Sequence, residues 1–151
     1  MKATAAALLV VAGLSWPAQA EMLALRCEGT KIAIPQAKEP DLVKLKGEED
    51  VPDILGGPKK EPVSTDAIVT DQMVYAFGAE FETGYTNDAF IRFGRSANNP
   101  AIPAFSLESF FGEINRIAGT LEAEQLKYKK SGWLYLVIKY SLNCRKIERK
   151  F

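Results

Sequence analysis

Beyond the first twenty positions, apolar and polar residues alternate over much of the chain with the two-residue period of strands that bury one face. Leu23, Leu25 and Cys27 share one side of a first extended segment, and Leu134, Leu136, Ile138, Tyr140, Leu142 and Cys144 share one side of a last. Between them, 67–70 is a short run. Met73, Tyr75, Phe77, Ala79 and Phe81 then alternate on one side of a longer strand, with Asp71-Gln72 as a turn or bulge between the two. After the polar stretch 84–88, Ala89, Ile91 and Phe93 alternate with Phe90, Arg92 and Gly94, which predicts a hairpin. The segment 96–103 is a loop by composition.

Two stretches break this pattern. From 34 to 63 the chain carries Pro35, Pro40, Pro52, Gly56, Gly57, Pro58 and Pro62 among many charges, a density that argues for an irregular, solvent-exposed loop. In 106–126, Leu107, Phe110, Phe111, Ile114, Ile117, Ala118 and Leu121 fit helical spacing, with Ser106 as an N-cap. Gly112 and Gly119 oppose a helix, since each costs about 1 kcal/mol there relative to Ala. The alternative is a hairpin that pairs Phe110, Gly112 and Ile114 with Leu121 and Ala123 across a turn at 115–119. Periodicity and propensity leave both open.

The start of the chain has a different character. Lys2 is followed by an uncharged apolar stretch and then by Pro17, Ala18, Gln19 and Ala20, the order of a secretory signal peptide with an A-x-A cleavage site. The apolar stretch is shorter than the roughly 20 residues a membrane helix needs. We therefore expect residues 1–20 to be a signal peptide cleaved after Ala20, residues 21–151 to form a single domain in the periplasm or outside the cell, and no transmembrane segment in the mature chain.

Export gives meaning to the cysteines. Cys27 and Cys144 are the two in the chain, both lie on the apolar sides of their strands, and an oxidising compartment closes such pairs. One disulfide joining the first and last strands is expected. The fold class is then mainly β, a small antiparallel barrel or sandwich, with an α+β domain carrying a helix around 106–126 as the alternative.

Three pieces resemble a pattern found elsewhere: Leu25-Arg26-Cys27-Glu28-Gly29-Thr30, Gly112-Glu113-Ile114-Asn115-Arg116-Ile117-Ala118-Gly119-Thr120-Leu121, and Tyr140-Ser141-Leu142-Asn143-Cys144-Arg145 running out to Phe151. Together they resemble a loose family of small exported bacterial β proteins of unknown function. The resemblance implies an antiparallel β domain and a hairpin at 106–126, and it implies no activity. The Pro-rich excursion departs from the compact pattern of that family.

Composition removes several functions. The chain has 19 basic and 19 acidic side chains and no His, so loss of Lys2 with the leader leaves one acidic residue in excess. A nucleic-acid partner is not expected, because the late basic residues Lys127, Lys129, Lys130, Arg145, Lys146, Arg149 and Lys150 read as a solvated edge. Without His and with one Cys pair, no His-based triad and no cysteine-rich zinc site can form. Glu48-Glu49-Asp50 reads as a surface charge run, and Gly56-Gly57-Pro58-Lys59 lacks the spacing of a phosphate loop. No catalytic residues, cofactor or metal are expected.

What remains is a non-catalytic envelope or secreted binding module whose partner is an envelope protein or a small apolar ligand. Phe77, Phe81, Phe90, Phe93, Phe110 and Phe111 either fill the core or line a cup. A second reading is an inhibitor of an envelope-degrading enzyme such as lysozyme, since Ser131-Gly132-Trp133-Leu134-Tyr135 echoes a Ser-Gly-x-x-Tyr element of periplasmic lysozyme inhibitors. A third, an outer-membrane barrel, is opposed by the charges that precede Phe151.

Overall fold

A computed structural model describes residues 22–36, 57–96, 108–128 and 134–148. Among these residues the chain forms β1 (Leu23–Pro35), β2 (Lys59–Val69), β3 (Met73–Ala76), β4 (Ala79–Thr86), β5 (Phe90–Arg95), β6 (Glu108–Asn115), β7 (Thr120–Tyr128) and β8 (Leu134–Lys146), and no helix. Each strand pairs antiparallel with the next, and β8 returns to β1 to close a barrel. Alternation places Leu25, Cys27, Ala67, Val69, Val74, Ala76, Phe81, Ile91, Phe93, Phe110, Ile114, Leu121, Leu136, Ile138 and Leu142 in one interior core. The outward parity carries cross-strand pairs instead: Arg26 with Asp66 at 2.9 Å, Arg92 with Glu113 at 2.6 Å and Lys139 with Glu124 at 3.7 Å. An apolar interior beneath a charged exterior is the reverse of a lipid-facing barrel.

The seam that closes the barrel runs from Leu25↔Lys146 to Pro35↔Leu136, as long as the β1–β2 pairing. The disulfide lies across it, joining Cys27 to the facing Cys144 with Cα atoms 4.0 Å apart. The sulfur of Cys27 is fully buried. The amide of Cys144 donates to the Gly119 carbonyl on the β7 side, so Cys27 and Cys144 form a pair without mutual backbone bonds.

The region 108–128 is a hairpin, not a helix: Gly112 faces Ala123 and Ile114 faces Leu121. Its two glycines have separate physical roles. A β-carbon on Gly112 would overlap the Phe93 ring, so the position is needed for the aromatic layer. Gly119 sits at φ +67 at the end of the turn, where the Asn115 side chain accepts the amides of Ile117 and Ala118 at 3.0 and 2.8 Å.

Two expectations are corrected. The Pro-rich stretch is strand at both ends, because β1 runs on to Pro35 and β2 begins at Lys59; residues 37–56 lie outside the described residues. Pro62 fits inside β2 because the hydrogen-bonding side alternates along a strand. Counting from Cys27↔Thr65, its missing N–H falls on the side away from β1, and β3 reaches β2 only at Ile68 and Val69.

The single strand expected over 73–81 is instead the hairpin β3–β4. Phe77 and Gly78 both have positive φ, 53° and 74°, the mark of a two-residue type I′ turn. Met73 and Tyr75 consequently leave the interior face, and Val74 and Ala76 take it.

Candidate functional site: the barrel mouth

The two ends of the barrel differ. At one end the connections are tight turns, around 70–72, 87–89 and 116–119. At the other end the described stretches stop at Gln36, Ser96 and Tyr128 and resume at Gly57, Glu108 and Leu134. This second end, the mouth, carries polar residues on the inward parity, as the first end does at Lys146.

Below the mouth lies an aromatic layer. Phe81 stacks on Phe110 at 4.6 Å between ring centroids, Phe93 lies 5.5 Å from Phe81, and Phe77 reaches in from its turn to 5.3 Å from Phe110 and 4.7 Å from Tyr140. Of the six phenylalanines singled out from the sequence, Phe77, Phe81, Phe93 and Phe110 belong to this interior. Phe90 is half-buried, and Phe111 points outward and is exposed.

Above the aromatics stands a hydrogen-bonded chain. The Tyr140 hydroxyl donates to Gln125 Oε1 at 3.0 Å, Gln125 Nε2 donates to Glu108 Oε2 at 2.8 Å, and Lys127 Nζ pairs with Glu108 Oε1 at 3.0 Å. Burial opposes the charge of Glu108. Hydrogen bonds from Lys127 and Gln125, with the positive charges of Lys127 and Arg95, outweigh it and hold the carboxyl below its ordinary range. Burial, reinforced by the Glu108 charge, raises the Tyr140 phenol. Across the rim, Glu61 pairs with Lys59 at 3.1 Å and Lys31 at 3.4 Å, and those hydrogen bonds lower its pKa.

Arg95 stands at the boundary between the two layers. Its guanidinium carbon lies 5.8 Å from the Phe81 ring centroid, a cation–π contact. Its Nε is shut off from solvent and has no hydrogen-bond partner among the described residues. Cations therefore exceed carboxylates among these inward-parity residues, with Lys31, Lys59, Arg95 and Lys127 against Glu61 and Glu108.

Hollows lie on other surfaces, and one of about 360 Å³ on the outside of the barrel is lined by Glu82, Arg92, Arg95 and Phe111 among others. A cavity of about 390 Å³ at the closed end is lined by Leu23, Leu25, Asp88, Ile114, Arg116, Cys144 and Lys146 among others. A shallow outer groove of about 390 Å³ runs along Ile68, Thr70, Met73, Tyr75 and Glu80. The late basic residues do not form one patch: Lys127 is in the mouth with Glu108, whereas Arg145 and Lys146 are exposed at the closed end, and Lys129, Lys130, Arg149 and Lys150 lie outside the described residues. Glu48-Glu49-Asp50 and Ser131-Gly132-Trp133 also lie outside them; Tyr135 is buried in β8. Among the described residues no three His, Cys, Asp or Glu side chains converge to hold a metal.

The sequence alone marks the aromatics and Lys127 but does not bring Arg95, Glu108, Gln125 and Tyr140 into one site. The available signal was a charged or polar residue on the apolar parity of a strand, as Arg95 after Ile91 and Phe93. Comparisons with protein-family models, curated proteins and solved structures returned no match.

Proposed function

We propose that the protein is a non-catalytic binding module of the cell envelope or the secreted fraction, and that the barrel mouth takes a small amphipathic acid. Arg95 carries this reading. A cation at an inward position, with one donor closed to water and unbonded, is costly in a barrel that only has to fold. An incoming carboxylate, sulfonate or phosphate would satisfy it. The aromatic layer beneath suits the apolar part of such a ligand, and the excess of cations on the rim favours its charge. Glu108 acts as an organiser in this reading, since both of its oxygens are already bonded, and the chain has no His to serve as a base. The leader sequence and the disulfide support an exported protein.

Titration with 1-anilinonaphthalene-8-sulfonate, an aromatic anion, tests the reading. The oxidised protein should bind it saturably, and Arg95→Gln should weaken binding by about ten- to hundred-fold, the value of a charge-assisted hydrogen bond. Equal binding by the wild type and Arg95→Gln would overturn the mouth as the site.

A further inference from the structure

The tip of the β3–β4 hairpin is built in an uncommon way. The first position of a type I′ turn favours Asn, Asp or Gly, because its φ is positive. Here it is Phe77, at φ 53°, and the ring is turned into the barrel against Phe110 and Tyr140. Positive φ in a bulky residue persists only where its surroundings hold it, and such residues cluster at ligand clamps and switches.

The tip is held by packing more than by strand pairing: Ala76 is fully buried, and Phe77 and Ala79 pack against the core. β3 pairs with β2 only through Ile68↔Tyr75 and Val69↔Val74. On the other flank the β4–β5 pairing ends at Glu82↔Gly94, next to a register shift between Thr83 and Tyr85. Among the described residues, Ala76 to Glu80 have ladder partners only within their own hairpin. The tip's tether to β2 is one hydrogen bond, from the Phe77 amide to Thr65 Oγ1 at 2.8 Å.

We propose that Phe77 is a resident plug, its ring occupying the place that the aromatic group of an acidic ligand takes when the hairpin tip swings out. This rests on the mouth being the binding site, and it adds the ligand's aromatic character and the element that gates entry. Phe81 and Phe110 form the fixed wall, Tyr140 the far wall, and Arg95 on Phe81 receives the acid. The plug keeps the aromatic layer dry in the unliganded protein. It also lowers apparent affinity, because only the fraction with the tip displaced is competent to bind.

Phe77→Asn tests this, since Asn keeps the positive φ of the turn and removes the ring. The variant should bind 1-anilinonaphthalene-8-sulfonate at least about ten-fold more tightly than the wild type, as expected when a closed state is removed, and Arg95→Gln in that background should reverse the gain. A second readout needs no variant: the nuclear Overhauser contacts between the Phe77 and Tyr140 rings should vanish when the wild type is saturated with the probe. Unchanged or weaker binding by a folded Phe77→Asn protein, or ring contacts that persist at saturation, would overturn the plug. If the wild type and Phe77→Asn bind equally and both depend on Arg95, the mouth remains the site and the plug alone falls. If neither binds, both readings fall.

Discussion

Glu108 shows how one residue ties stability to the site. It lies on the inward parity of β6, where an apolar side chain would complete the core, yet it is charged and engaged by Lys127 and Gln125. Its folded pKa lies below the ordinary value of 4.5, so the folded protein binds this proton less readily than the unfolded chain. The resulting stabilisation is present above pH 4.5 and is lost as pH falls through the depressed folded value. Urea denaturation between pH 7 and pH 3 should show stability dropping on the acid side. Glu108→Gln should flatten that drop in part, leaving the share that comes from Glu61, whose pKa is also lowered. Tyr140 has the opposite consequence: its raised pKa means that stability falls as pH climbs above 10, and Tyr140→Phe should remove that loss.

Among the elements, the β6–β7 hairpin and the β3–β4 hairpin show what the sequence could and could not disclose. In β6–β7, helical spacing and two glycines leave helix and hairpin both open on the residues, the resemblance favours the hairpin, and the pairing Ile114↔Leu121 is that of the hairpin alternative. Gly112 was visible as a helix breaker, but its reason, the Phe93 ring lying over it, is a tertiary contact that no local pattern encodes. Gly112→Ala should destabilise the fold by about 1–3 kcal/mol through overpacking, measured by urea unfolding. In β3–β4, alternation ran unbroken from Met73 to Phe81, and Phe-Gly is not a recognised type I′ signal, so the turn was hidden. The same limit applies to the site. Arg95, Glu108, Gln125 and Tyr140 come from four strands, and the successive pairing of β5 to β8 brings them together.

The whole molecule is a meander whose first and last strands must meet, and the Cys27–Cys144 bond lies on that closure. It joins residues separated by 117 positions. On the chain-entropy view such a link is worth about 5 kcal/mol, a large share of the net stability of a domain this size. Reduction, or the Cys27→Ala and Cys144→Ala double variant, should lower unfolding stability by roughly that amount, and the two treatments should agree in urea titrations. Closure also separates an end of tight turns from the polar mouth, and the proposed function depends on that separation. The most direct test is to locate binding: a ¹⁵N-labelled, oxidised sample titrated with 1-anilinonaphthalene-8-sulfonate and followed by amide chemical shifts. The account predicts saturable shifts concentrated at Phe77, Arg95, Glu108, Gln125, Lys127 and Tyr140. Shifts confined to Leu23, Asp88, Arg116 and Lys146 around the cavity at the opposite end, or no saturable shifts at all, would contradict it.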